Sequence, residues 1–380
     1  MDFALTEEQE LFRRTARDFA RDELEDQAHE LDQEHKVPID SLKKLGELGY
    51  LGVMVPEAYG GIASDTMSYV LVMEELSKAC ASTSTAVSVQ NSLVEAPILD
   101  HGSEEQKQYY LPKLATGEWM GAFALSEPES GSDAGAMKTT ARKDSNEYVL
   151  NGSKMWISNA AFSDVFVVFA ATDPDAGNKG VSAFIVDKDT PGFSIGEEED
   201  KLGIRGTSTC EIHFDDARVP AENLLGAEGR GFRIALETLN GGRIGIAAQA
   251  LGIAEAAFEE ATKYAKERKA FGTEIANFQG IQFKLADMAT QIESARWLLY
   301  NAAWRKDQGL DYITASALAK LHAAEIASHV ADEAVQIHGG YGYVKDYKVE
   351  RLYRDARITR IYEGTSEIQK LVIARQILSE

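Results

Sequence analysis

Cysteine is scarce: Cys80 and Cys210 are the only two in 380 residues. They form no C-x-x-C or other metal-like spacing, and two thiols cannot supply a disulfide framework for a chain of this size. Both read as reduced thiols of an intracellular protein. Basic residues are also in deficit, with 39 Lys and Arg against 61 Asp and Glu, so the net charge is -22. That sign repels nucleic-acid phosphate and anionic lipid, which leaves small molecules and proteins as the expected partners. No apolar run approaches the roughly 20 residues that a spanning helix needs. The opening stretch MDFALTEEQELFRRTARDFARDELED is an acidic amphipathic pattern. It lacks the apolar core of a secretory signal and the Arg-rich, acid-poor character of a transit peptide. The expectation is a bacterial cytoplasm, with a mitochondrial matrix for a processed form. Nucleotide-binding glycine motifs are missing as well: no G-x-x-x-x-G-K-[ST] occurs and no G-x-G-x-x-G follows a strand, so a nucleotide cofactor must be held in some other way.

A metal site is not expected either. His322, Glu325 and His329 share a helical face, but di-iron bundles use paired Glu-x-x-His motifs and the chain has none. These histidines read as packed or surface residues.

What is present is a period that changes twice. Residues 1–120 carry helical spacing, with Leu5, Leu11, Phe12 and Phe19 on one face and VLVMEELSKA (70–79) as a second helix. Over 121–225 the period shifts towards two in EYVLNGSKMWIS, DVFVVFAAT, KGVSAFIVD and TCEIHFDDARVP, with Asn-Gly, Asp-Pro and Pro-Gly as turn signals. Long helical patterns return over 226–380, at 244–271 and 313–338. The expected class is α+β with several domains: an N-terminal helical domain, a central β domain and a C-terminal helix bundle.

Three stretches could carry chemistry. FALSEPESGSDAGA (123–136), with GSKMWISN from 152, exposes backbone N–H groups and hydroxyls suited to phosphate or the polar edge of a flavin. By composition alone it is more often a surface loop. HGGYGYV (338–344) ends a helix with glycines that allow left-handed caps or close backbone approach. RIYEGTSEIQ (360–369) reads as a capping box, with Ser366 and Gln369 starting a helix. The cap leaves Glu363 unexplained.

Together and in order, FALSEPESGSDAGA, MWISN, KLGIRGTST, GGRIGIAAQALGIA, ERKAFG, QIHGGYGY and RDARITRIYEGTSEIQ resemble the signature segments of the acyl-CoA dehydrogenases, most closely those of short-chain type. The resemblance runs from end to end. It implies a helical domain, a β-barrel-like domain and a four-helix bundle, with FAD as cofactor, a homotetramer, and electron-transferring flavoprotein as partner. In that chemistry an acyl-CoA thioester loses an α-proton to a carboxylate while a hydride passes from the β-carbon to flavin N5, giving a trans-2-enoyl-CoA. The base implied here is Glu363. Phe123, Leu125, Ser126, Trp156 and Ser158 match flavin-contacting positions, as do Thr365 and Glu367. Arg268, Phe271, Gln279, Gln336, Gly339 and Gly340 match positions that bind the FAD of a neighbouring subunit. Ser132, Asn240, Arg243 and Gly364 match CoA or acyl contacts, with Asn240 where relatives have Asp. The Glu363 N–H and a ribitol hydroxyl would hold the thioester carbonyl.

Two departures narrow the subfamily. Relatives of the isovaleryl and long-chain types carry their base at the position of Gly242, and glutaryl relatives carry an Arg at that of Ser84. A short, straight, uncharged acyl chain is therefore expected. An oxidase of the same superfamily and a catalytically dead scaffold are the alternatives, the first disfavoured by chain length and the second by retention of Glu363. The following helix N-terminus favours ionised Glu363 by about 0.3–1 kcal/mol, whereas burial beside flavin and acyl chain can raise its pKa by several units. An elevated pKa in the ligand complex is the expectation.

Overall fold

A computed structural model describes residues 4–379. Helices α1 (Glu7–Phe19), α2 (Gln27–Glu34), α3 (Ile39–Glu47), α4 (Thr66–Ala79), α5 (Ala81–Ser88), α6 (Ala96–His101) and α7 (Glu104–Ala115) come first. Strands β1 (Gly121–Ala124), β2 (Thr140–Asp144), β3 (Glu147–Ser158), β4 (Val165–Ala171), β5 (Val181–Asp187), β6 (Phe193–Glu198), β7 (Thr209–Pro220) and β8 (Leu224–Leu225) follow. The chain then forms α8 (Gly231–Glu267), a two-strand ribbon of β9 (Lys269–Ala270) and β10 (Thr273–Glu274), α9 (Gln279–Asp307), α10 (Ile313–His338), α11 (Lys348–Ala356) and α12 (Ser366–Ser379).

The eight strands pair in the order β6-β7-β3-β2-β4-β5-β8, with β1 parallel to β4. Although β6 and β4 are far apart in that order, the rings of Phe193 and Phe166 lie with centroids 4.8 Å apart. The sheet therefore curls around its own apolar face, which Tyr148, Leu150, Phe166, Phe184, Ile212 and Phe214 fill. β4 is buried at every position. Its alternate residues Val165, Val167 and Phe169 pack on the other side against Leu111, Leu114 and Ile234 of the helices. The Asn151-Gly152 pair, expected as a turn, lies inside β3, where the register against β7 shifts. The β-branched and aromatic residues on both sides keep the strand running, and the pair becomes a bulge.

Helices α8, α9 and α10 form the core of the last third. α10 presents a row of alanines, including Ala319, Ala323, Ala327, Ala331 and Ala334, all fully buried, and such small side chains let helices approach closely. α8 crosses α4 so tightly that a Cβ on Gly252 would stand 2.4 Å from the Glu74 carbonyl oxygen. No helix among the described residues is long and apolar enough to cross a membrane.

Candidate active site

One cavity of about 1010 Å3 opens where the curled sheet meets α8 and the segment before α12. Of the residues singled out from the sequence, it brings together Phe123, Leu125, Ser126, Ser132, Trp156, Ser158, Arg243, Glu363, Gly364 and Thr365. They come from four separate stretches of chain, so only the fold joins them.

The sheet side is set by a buried ion pair. Lys154 of β3 is fully buried, and its Nζ donates to Glu127 Oε1 at 2.7 Å and to the Leu125 carbonyl at 3.2 Å. Glu127 also accepts from the Lys138 and Thr139 N–H groups. Burial pulls the lysine down to about 8, while burial of Glu127 is outweighed by Lys154 and those amides, which hold it below the usual carboxylate range. The Met155 N–H bonds the Ser126 carbonyl, tying the loop to β3 next to Trp156. At Trp156 the backbone turns left-handed, with φ at 64°, inside a second register shift between Lys154 and Ile157. A bulge re-aims a side chain. The indole, 57% exposed, is thereby presented to the cavity. An open indole flanked by the hydroxyls of Ser126 and Ser158 suits a flat heteroaromatic ring with a polar edge, as in a flavin.

The helical side is built around Glu363, which takes φ at 51°, followed by Gly364 at 91°. Such a turn is costly for a residue with a Cβ and persists only where neighbours enforce it. Lys320 Nζ and Gln369 Nε2 both donate to the Gly364 carbonyl, at 2.7 and 2.9 Å, and Gln369 Nε2 also reaches the Glu363 carbonyl at 3.1 Å. The preceding Tyr362 hydroxyl donates to Gln249 Oε1, and Gln249 Nε2 bonds the Ala81 carbonyl, Ser84 Oγ and Thr85 Oγ1. The helix cap differs from the expected one. Thr365 Oγ1 accepts from the Ile368 N–H, so the cap lies one residue earlier, and Ser366 instead donates to Glu325 Oε1 at 2.6 Å. Glu325 also pairs with Arg360, and His322 bonds Ser294.

Glu363 Oε2 is shut off from solvent and has no hydrogen-bond partner among the described residues. Burial pushes the carboxyl up to about 7, against the opposing pull of Lys320 and then Arg243. The elevation expected with ligand bound thus exists in the chain alone. Arg243, 5% exposed, donates to Asn240 Oδ1 at 2.7 Å, and burial lowers its pKa.

Asn240 reaches the cavity only through Arg243, and the exposed Glu367 lies off its wall. Arg268, Phe271, Gln279, Gln336, Gly339 and Gly340 are exposed and also away from it. Two of these stretches meet through the Arg268 guanidinium over the Tyr341 ring at 5.5 Å, and Phe271 stands 98% exposed. Lys320, Gln249 and the Lys154–Glu127 pair were not among the residues singled out from the sequence. For Lys320 a signal existed: its helical neighbours at i−4, i+3, i+4 and i+7 are Ser316, Ala323, Ala324 and Ala327, a core face on which a lysine is out of place.

Three family models cover the chain in order: acyl-CoA dehydrogenase N-terminal domain over 6–118, middle domain over 122–217 and C-terminal domain over 229–378. A short-chain specific acyl-CoA dehydrogenase of Clostridium acetobutylicum is 54% identical over 377 residues, 99% of this chain and 100% of the relative. The butyryl-CoA dehydrogenase structure from Megasphaera elsdenii superposes with a TM-score of 0.98 at 46% identity, over 100% of both chains. A structure from a study of the electron transferring flavoprotein of Acidaminococcus fermentans and flavin-based electron bifurcation matches at TM-score 0.99 and 49% identity, again over 100% of both. With all three domains matched and a wall suited to a flavin, the chain belongs to the acyl-CoA dehydrogenase family and is an FAD-dependent oxidoreductase.

Proposed function

We propose that this chain oxidises short-chain acyl-CoA thioesters to trans-2-enoyl-CoA, with Glu363 as base, and passes the electrons to electron-transferring flavoprotein. The observation that carries the reading is the Glu363 carboxyl, buried at Oε2 on the cavity wall and raised to about 7. A base for a weak carbon acid works best with a proton affinity near the operating pH, and an ordinary Glu at about 4.3 is too weak. Bound FAD supplies the acceptor for the hydride leaving the β-carbon. Glu363 takes the α-proton at its carboxylate, while Lys320 and Arg243 keep a fraction of it ionised at neutral pH. Trp156, Ser126 and Ser158 would hold the isoalloxazine, and Phe123 and Leu125 extend that wall. Ser132 and Arg243 would contact the CoA portion, and Gly364 leaves room beside the base. The apolar side chains of Val89, Leu93 and Ile246 suit an uncharged acyl chain and help exclude water.

The short-chain preference draws on relatives described as short-chain specific or butyryl-CoA dehydrogenases, and the acceptor on the flavoprotein study. The exposed set of Arg268, Phe271, Gln279, Gln336, Gly339 and Gly340 supports a homotetramer in which these residues reach a neighbour's FAD, and an exposed Phe271 is a cost unless covered. The test is anaerobic mixing of the yellow holoenzyme with acyl-CoAs from C4 to C16. Bleaching fastest at C4 to C6, slow recolouring in air and orders-of-magnitude slower bleaching in Glu363→Gln are expected. Rapid recolouring would mark an oxidase, and unimpaired Glu363→Gln would remove the assigned base.

A further inference from the structure

We propose that Lys320 is a positioning residue for Glu363: its buried ammonium clamps the Gly364 carbonyl and holds the left-handed turn that aims the carboxylate. This rests on the reading of Glu363 as the base.

Lys320 sits on the alanine face of α10 with none of its side chain exposed, and its Nζ lies 2.7 Å from the Gly364 oxygen. An ammonium in such a place costs several kcal/mol unless it is paired and hydrogen-bonded, so its retention needs a partner. The charged groups that interact with it are Glu363, Arg243, Glu325 and Glu367, with Glu363 the leading favourable one. Glu363 in turn faces Lys320 of α10 and Arg243 of α8, and it acts on the hydroxyls of Tyr69 of α4 and neighbouring Tyr362. Arg243 already donates to Asn240. Among the described residues, Lys320 alone joins two actions: it bonds the backbone of the turn and, as the largest opposing influence, favours the ionised carboxylate against burial. Gln369 shares the backbone contact but carries no charge. The two actions can therefore be separated. Glutamine at 320 keeps a neutral donor, and methionine keeps only the unbranched volume.

The experiment compares FAD-loaded wild type with Lys320→Met and Lys320→Gln. The Glu363 protonation midpoint is read without turnover from the infrared carboxyl band that Glu363→Gln lacks, alongside the pH profile of kcat/KM. In Lys320→Met the midpoint should rise by a pH unit or more, the acid limb of kcat/KM should move with it, and kcat at pH 7 should fall at least ten-fold. KM should change less than three-fold. Lys320→Gln should show a similar midpoint rise but recover most of kcat above the new midpoint, because the turn is still held. An unmoved midpoint in either folded, FAD-loaded variant would overturn the proposal. If Lys320→Met does not fold, the Lys320→Gln midpoint decides. Failure of the base reading shows separately, as normal turnover by Glu363→Gln, and the infrared midpoint then still decides whether Lys320 acts on the carboxyl.

Discussion

The Glu363 carboxylate occupies the space that any side chain at position 242 would need. A Cβ built on Gly242 would stand 2.0 Å from Glu363 Oε2 and 3.0 Å from Leu93 Cδ2. Gly242 of α8 is thus the floor on which the carboxylate rests. The resemblance places the base of other branches of the family at this position, and a carboxylate there would compete with that of Glu363, the proposed base, for the same space.

Gly242→Ala should consequently separate activity from stability. Ala improves helix propensity by about 1 kcal/mol, and the atoms it meets are the ends of two side chains, Glu363 and Leu93. The expected variant melts within a few degrees of wild type, while its flavin-reduction rate falls at least ten-fold because the carboxylate is displaced. Calorimetry and stopped-flow bleaching with butyryl-CoA give the two readouts, and unchanged reduction would contradict the packing argument.

The raised pKa of Glu363 has consequences for both rate and stability. With Glu363 as the proposed base, kcat/KM should climb with pH to an apparent pKa near 7 as it ionises. For stability, the folded value lies above the ordinary 4.5, so the unfolded chain loses its proton first. The contribution is fully present below pH 4.5 and is lost as pH rises through 7, a cost of about 3 kcal/mol at alkaline pH. Glu363→Gln should therefore gain stability relative to wild type between pH 5 and 8. Denaturant titrations across that range test the sign.

Gln249 is a fully buried hub between α8, α5 and Tyr362. Gln249→Leu would take from the Tyr362 hydroxyl its Gln249 acceptor, costing about 1–3 kcal/mol, while the Ala81 carbonyl keeps the Ser84 and Thr85 hydroxyls. Since Tyr362 precedes Glu363, the proposed base, a fall in kcat larger than the change in KM should accompany the lower melting temperature.

Lys154→Met would strand Glu127 beneath the Ser126 loop, with an expected loss of about 3–5 kcal/mol and faster FAD dissociation. Adding Glu127→Gln should restore part of both, since the uncompensated charge is removed with its partner. A double-mutant cycle on unfolding free energy and flavin retention decides it; additive losses would show that the pair does not act as a unit.

Much of the molecule is legible in its sequence. The period of two over 147–158 becomes β3 over the same residues, and the helical pattern over 313–338 becomes α10. The motif stretches carrying Ser126, Trp156 and Glu363 are recognisable and do meet at one cavity. The cap falls one residue from the expected place because Ser366 finds Glu325, forty-one positions away, and Thr365 is left to accept from the helix. Asn151-Gly152 resembles a turn because turn chemistry is local, whereas the pairing of β3 with β7 is not.

The elements and the chemical groups follow from sequence, because periodicity, caps and motif residues act over a few positions. Tertiary structure alone decided how acidic Glu363 is and where it points. Lys320 and Arg243 act on it and Gly242 underlies it from helices distant in the chain, Gln249 holds the neighbouring Tyr362, and the pKa depends on burial and charges gathered around one atom rather than on its neighbours in sequence.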